Sequence, residues 1–161
     1  RNYFTINKGS LDGVRPNMGV ITPQGVFGEI KFVEKHYSTG VSLLHTKNSI
    51  SAQIKGSKAL GIIEWDASSA READLTYVGR YYPVNEGDTV VTSGFNATFP
   101  YGVPIGKIIK VDGDNQTYYR LRMRLFTDFN ASRHLYVVDR PFAKELDSLA
   151  KKEIEHRKLI R

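Results

Sequence analysis

The sequence predicts an all-β protein in which short strands close into small barrels, followed by a helical or flexible tail. Short β-branched and aromatic runs recur along most of the chain, each bounded by glycine, proline, Asn or Asp turn signals. A strand pattern opening on glycine also occurs twice, Gly28-Glu29-Ile30-Lys31-Phe32-Val33 being answered 78 residues later by Gly106-Lys107-Ile108-Ile109-Lys110-Val111. The length of 161 residues suits two barrels of about 70 to 80 residues each. Closure favours a barrel over an open sheet because it removes exposed strand edges.

Tyr3 to Asn7 alternates and reads as the first strand. Lys8 to Gly13 is a turn cluster, and Pro16, Asn17 and Gly19 introduce a short strand at Val20 to Thr22. Pro23-Gln24-Gly25 turns this strand into Val26 to Val33, giving a hairpin. Gly40 to Leu44 and Ile50 to Ile54 are two further strands, and Gly56-Ser57-Lys58 turns the chain into Leu60 to Trp65. A strand near Leu75 to Val78 follows.

The stretch from Gly87 to Gly106 carries the densest signals. Gly87-Asp88 starts the run Thr89 to Thr92, and Ser93-Gly94 breaks it. A loop holding Phe99, Pro100, Tyr101, Gly102 and Pro104 then leads into a strand from Ile105 to Val111. A plain hairpin needs about two to five residues, so this loop is long for its task. Its prolines stiffen it, which suits either a plug packed into a barrel or a surface offered to a partner.

After the turn at Asp112-Gly113-Asp114-Asn115, Tyr118 to Phe126 shows the clearest alternation. Tyr119, Leu121, Met123 and Leu125 share one face, while Arg120, Arg122 and Arg124 share the other. His134 to Val138 reads as the last strand. Beyond Pro141, Phe142, Leu146 and Leu149 fall at helical spacing, which makes the tail a weak amphipathic helix at best.

Composition narrows the chemistry. A net charge of +6 admits nucleic acid, anionic lipid or an acidic protein as partner. The absence of cysteine removes disulfides, thiolate metal sites and thiol catalysis. Hydrolysis by a triad would need His36, His45, His134 or His156 beside Ser42, Ser51 or Ser93, and none of these serines sits in a nucleophile signature. Asp112, Asp114 and Asn115 lack the companions of a calcium loop. No metal or other cofactor is expected. Arginines at alternate strand positions lie about 6.5 to 7 Å apart, near the spacing of nucleic-acid phosphates. With Tyr118 and Phe126 for stacking, the Arg120, Arg122 and Arg124 face makes a basic nucleic-acid-binding module the alternative reading. A solvated face or an acidic partner competes with it.

The motif Gly87-Asp88-Thr89-Val90-Val91-Thr92-Ser93-Gly94, followed by Phe99-Pro100-Tyr101-Gly102-Val103-Pro104-Ile105-Gly106, resembles the MreC family of rod shape-determining proteins. Asn7 to Val14, Gly25 to Gly28, Gly61 to Asp66, Asp128-Phe129 and Leu135 to Val138 extend the resemblance over roughly residues 2 to 140. It implies two six-stranded barrels of chymotrypsin-like form without catalytic residues, one inserted into the other. The expected division is residues 1–16 with 80–140 for the first barrel, 17–79 for the second and 141–161 for the tail. It also implies a scaffold that forms dimers or filaments and binds a class B penicillin-binding transpeptidase, MreD and RodA. A membrane helix and coiled coil would precede Arg1, placing this domain on the periplasmic or extracellular side of the inner membrane. Within it, Phe99, Pro100, Tyr101, Arg120, Arg122 and Arg124 are the expected partner-binding residues. Gly87, Asp88, Ser93, Gly94, Gly102, Pro104 and Gly106 are expected to serve the shape of the motif.

Overall fold

The structure, a computed structural model, describes residues 2–95, 98–113, 117–132, 134–140 and 143–160. Eleven strands and one helix follow in order: β1 (Tyr3–Ile6), β2 (Gly19–Thr22), β3 (Gly25–Val33), β4 (Ser38–Ser42), β5 (Ile50–Ile54), β6 (Leu60–Glu64), β7 (Glu72–Thr76), β8 (Thr89–Thr92), β9 (Pro104–Asp112), β10 (Arg120–Leu125), β11 (Tyr136–Val138) and α1 (Ala143–Leu159). A 3-10 turn at Ser10–Asp12 closes on Gly13. The all-β expectation holds.

The strands form two modules. One is a closed six-stranded barrel in the order β10-β7-β6-β5-β8-β9. The other is a five-stranded sheet in the order β1-β4-β3-β2-β11. Among the described residues every pairing is antiparallel, so hairpins and short loops suffice for most connections. Bulges between Arg122 and Met123 and between Val90 and Val91 interrupt the ladders that join β9 to its neighbours. Such bulges bend and twist a strand, which helps a small barrel close.

Two expectations are corrected here. The second module is a five-stranded sheet, not a second six-stranded barrel: β1 and β11 are its two edges, with a groove between them lined by Phe4, Ile6, Val14, Phe27, Leu135 and Val137. The division of the chain also differs from 1–16 with 80–140 against 17–79. Residues 3–42 and 136–138 build the sheet, and residues 50–125 build the whole barrel. The similarity of β3 to β9 suggested a cut between related halves, but pairing is decided by which apolar faces meet. β5, β6 and β7 complete the barrel because Ile50, Ala52, Ile54, Ile63, Ala73 and Leu75 all bury into its core. One module is nonetheless inserted in the other, since the barrel lies in the chain between β4 and β11.

The barrel core extends beyond the barrel. Val26, Leu43 and Leu44, from the sheet and its exit, pack in the same apolar cluster as Ile63, Leu75, Ile105, Ile108, Leu121 and Met123. A smaller cluster of Val14, Met18, Val20, Phe27 and Ile30 fills the sheet module. α1 presents an exposed surface wherever its side chains are described. Its ends suit the helix dipole, with Glu145 in the first turn and His156, Arg157 and Lys158 in the last. Phe142, Asp114 and Asn115, used above for the tail and the turn, lie outside the described residues.

Candidate functional site

The motif stretch forms the seam between the modules. Gly87 (φ 90°) sits in a turn that Asp88 closes by accepting the Asn85 backbone N–H through its carboxylate at 2.9 Å. β8 then runs to Thr92, whose buried hydroxyl donates to the Pro100 carbonyl at 2.6 Å and accepts the Val103 N–H at 2.9 Å. One threonine thereby ties both ends of the long loop. Ser93 is buried; its hydroxyl lies 2.9 Å from that of Ser51 and accepts the Phe95 N–H. It serves the loop, and its side-chain partner is another hydroxyl.

Gly94 needs to be glycine for two reasons. Its φ is 76°, and an added Cβ would stand 2.9 Å from the Tyr101 nitrogen. This close approach folds the loop back on itself and drives Phe99 inward. Phe99 is 1% exposed and belongs to the barrel core. Its ring lies over Gly19 of β2, where a Cβ would be only 2.4 Å from a ring carbon. Phe99 therefore bridges the modules, and the expectation that it meets a partner is corrected: its apolar ring is removed from water by the chain itself. Pro100 and Tyr101 remain outside, with Tyr101 55% exposed.

Other groups fasten the same seam. Arg140, just past β11, donates to the Phe99 carbonyl at 3.0 Å and to the Gly94 carbonyl at 2.9 Å. The Thr127 hydroxyl donates to the Val26 carbonyl at 2.9 Å and lies 3.2 Å from the Thr22 hydroxyl, with both threonines buried. The Pro104 carbonyl sits where a Cβ on Gly25 would have to go, and within the barrel the Arg124 carbonyl does the same at Gly106. Gly102 (φ 94°) turns the chain into β9. Gly19, Thr22, Thr127 and Arg140 were missed in the sequence. Their partners are far along the chain, and no local pattern marks such pairs.

The second candidate is the outer face of β10. Arg120, Arg122 and Arg124 do alternate with buried Leu121, Met123 and Leu125. Arg122 is not a free cation, however. It reaches Glu72 at 3.1 Å, Asp74 at 3.0 Å and Asp66 at 3.2 Å, and its side chain is 21% exposed. Burial alone would lower its pKa, but the hydrogen bonds to Asp74 and Glu72 and the nearby carboxylate charges raise it overall. Asp66 is held below its usual value, chiefly by hydrogen bonds from the Ser68 hydroxyl and backbone, with Arg122 adding to them. The expectation that Arg122 meets a partner is corrected accordingly, because three carboxylates already hold it. These carboxylates also place negative charge where a phosphate backbone would lie, which removes the middle of the proposed nucleic-acid ladder. Arg120 and Arg124 stay exposed, and Arg124 stands opposite Lys107 on β9.

A closed barrel sharing its core with an inserted-into sheet, joined by a motif whose glycines and hydroxyls serve packing, defines a two-module β protein of the barrel-core class. A profile described as rod shape-determining protein MreC, barrel core, matches residues 1–139. The chain belongs to the MreC family. It is 39% identical over 113 residues to the cell shape-determining protein MreC of Listeria monocytogenes, covering 68% of this chain and 38% of that protein. The chain thus spans about two-fifths of the length of that relative. A solved structure of MreC from the same genus and species superposes with a TM-score of 0.80 at 32% identity, over 86% of this chain and 68% of that one. The fold is also shared, at 20% identity and a TM-score of 0.69, with a structure of the complex between penicillin-binding protein PBP2 and MreC from Helicobacter pylori, over 84% of this chain and 85% of that one.

Proposed function

We propose that this chain is a non-enzymatic binding scaffold of the bacterial cell-elongation machinery. In this reading it associates with itself and with a class B penicillin-binding transpeptidase, alongside MreD and RodA. It works on the periplasmic or extracellular side of the inner membrane, to which the parent protein is anchored. Family membership supports this reading, as does the shared fold with a relative whose solved structure is a complex with PBP2. The observation that carries it is the seam. Phe99 on Gly19 and Arg140 on two loop carbonyls lock the modules into one body, so a partner meets surfaces already in position. Preorganisation of this kind lowers the ordering cost of association. The exposed residues offered are Pro100 and Tyr101 at the seam and Arg120 and Arg124 on β10.

The test is interferometry of this chain against the extracytoplasmic part of the class B transpeptidase from the same cell, with a class A synthase as control. Saturable binding to the first alone is expected, with self-association seen by sedimentation. Absence of both would overturn the reading.

A further inference from the structure

The barrel has two ends, and only one is used by the seam. Thr92, Phe99, Pro104 and Thr127 gather at the end facing the sheet. The opposite end is formed by the β5–β6 turn, the exit of β7, the entry to β8 and residues 117–119 before β10. There the chain exposes tyrosines: Tyr77 at 59%, Tyr81 at 92% and Tyr118 at 40%. Tyr77 and Tyr118 meet edge to face with ring centroids 5.6 Å apart, and Tyr81 meets Tyr82 in the same way.

The two segments that carry these rings are tied to each other. The Arg80 N–H donates to the Thr117 carbonyl at 3.0 Å, the Tyr119 N–H to the Val78 carbonyl at 2.9 Å, and the Tyr119 hydroxyl to the Tyr82 carbonyl at 2.8 Å. The Arg80 guanidinium lies 5.7 Å from the centre of the Tyr119 ring. Tyr77 also has a φ of 61°, a conformation that bulky side chains rarely adopt. Strain of this kind persists where the surroundings enforce it, and it gathers at binding sites.

The charge at this end has a sign. Among the described residues it carries Lys55, Lys58, Arg80, Lys110 and Arg120 against Glu86, Asp88 and Asp112. Asp112 is paired with Lys110 at 3.6 Å, Asp88 keeps its charge while accepting the Asn85 N–H, and the described cations still outnumber the carboxylates five to three. Exposed tyrosines beside arginines are the composition of interface hot spots. We propose that this distal end of the barrel is a docking surface for an acidic segment of a protein partner, with Tyr77 and Tyr81 as apolar anchors and Arg120 receiving carboxylate. The inference rests on the scaffold reading and deepens it by naming a surface and the chemistry that fits it.

The test is an NMR titration of this chain with a short synthetic peptide alternating glutamate and leucine, beside one alternating lysine and leucine. Shifts confined to residues around Tyr77, Tyr81, Tyr118 and Arg120 are expected for the acidic peptide only. Tyr81→Ser and Arg120→Glu should each weaken its binding by about tenfold or more, the loss typical of a truncated hot spot. Tyr81 is almost fully solvated, so its variant should keep the wild-type melting temperature. No shifts at millimolar peptide, shifts on another face, or an equal response to the lysine peptide would overturn the proposal. Transpeptidase binding measured on the same variants separates the two ideas. If wild type and variants bind that enzyme equally, this surface is refuted while the scaffold reading stands.

Discussion

Replacing Phe99 with Ala separates a seam from a docking loop. The ring is 1% exposed and packs in the main core while covering Gly19 of the other module. Truncating a buried Phe removes its transfer free energy and leaves a cavity, together costing about 3 to 5 kcal/mol. Stability in a domain of this kind is of the order of 5 to 15 kcal/mol, so the loss is a large part of it. At 161 residues each kcal/mol moves the melting temperature by about 2 to 4 °C, which predicts a fall of roughly 6 to 20 °C. The assay is thermal and urea unfolding, followed by circular dichroism, of Phe99→Ala beside Tyr101→Ser. The exposed Tyr101 should cost no more than about 0.5 kcal/mol. A Phe99→Ala protein that melts within a degree or two of wild type would refute the seam, more so if it also lost partner binding.

The neighbouring contacts predict further outcomes. Gly19→Ala should destabilise by about 1 to 3 kcal/mol through overpacking, and less in a Phe99→Leu background, where the Thr98 carbonyl 2.8 Å from the new Cβ still crowds it; a double-mutant cycle by urea unfolding measures the difference. Thr127→Val should cost about 1 to 3 kcal/mol, because the Val26 carbonyl and the Thr22 hydroxyl lose a buried partner; equilibrium unfolding checks this. Arg140→Ala removes two hydrogen bonds from a cation to loop carbonyls, and amide exchange at Tyr101 and Gly102 should quicken well before global unfolding. Asp66 has a folded pKa below its unfolded value, so its contribution is present above about pH 4 and lost as pH falls through the lowered value. The stability difference between wild type and Asp66→Asn should therefore stay level down to about pH 4 and shrink below it, measured by urea unfolding at each pH.

Local signals located most of the strands because each rests on alternation that a strand must satisfy wherever it lies. The Arg120 to Leu125 face pattern is the clearest case: odd positions bury and even positions do not. The partition into modules was not legible in the same way. β5 and β4 look alike as strands, and only the meeting of Ala52 and Ile54 with Val90 and Met123 in one core assigns β5 to the barrel. The long loop was recognisable as unusual from its prolines and aromatics, but its direction was not. Whether Phe99 faces water depends on Gly19, 80 residues earlier, making room for it. Arg122 shows the same limit: alternation marks it as outward, and the carboxylates that neutralise it come from β7 and the loop before it.

The insertion of the barrel between β4 and β11 also has a mechanical side. A pull applied between β1 and β11 is met first by the hydrogen-bonded ladder β1-β4-β3-β2-β11, the covalent path through the barrel strands being longer. The barrel hangs beside the load path, coupled to it at Phe99, Thr127 and Arg140. Tension across the sheet would thus strain the seam before any barrel strand, leaving the tyrosines at the far end in register.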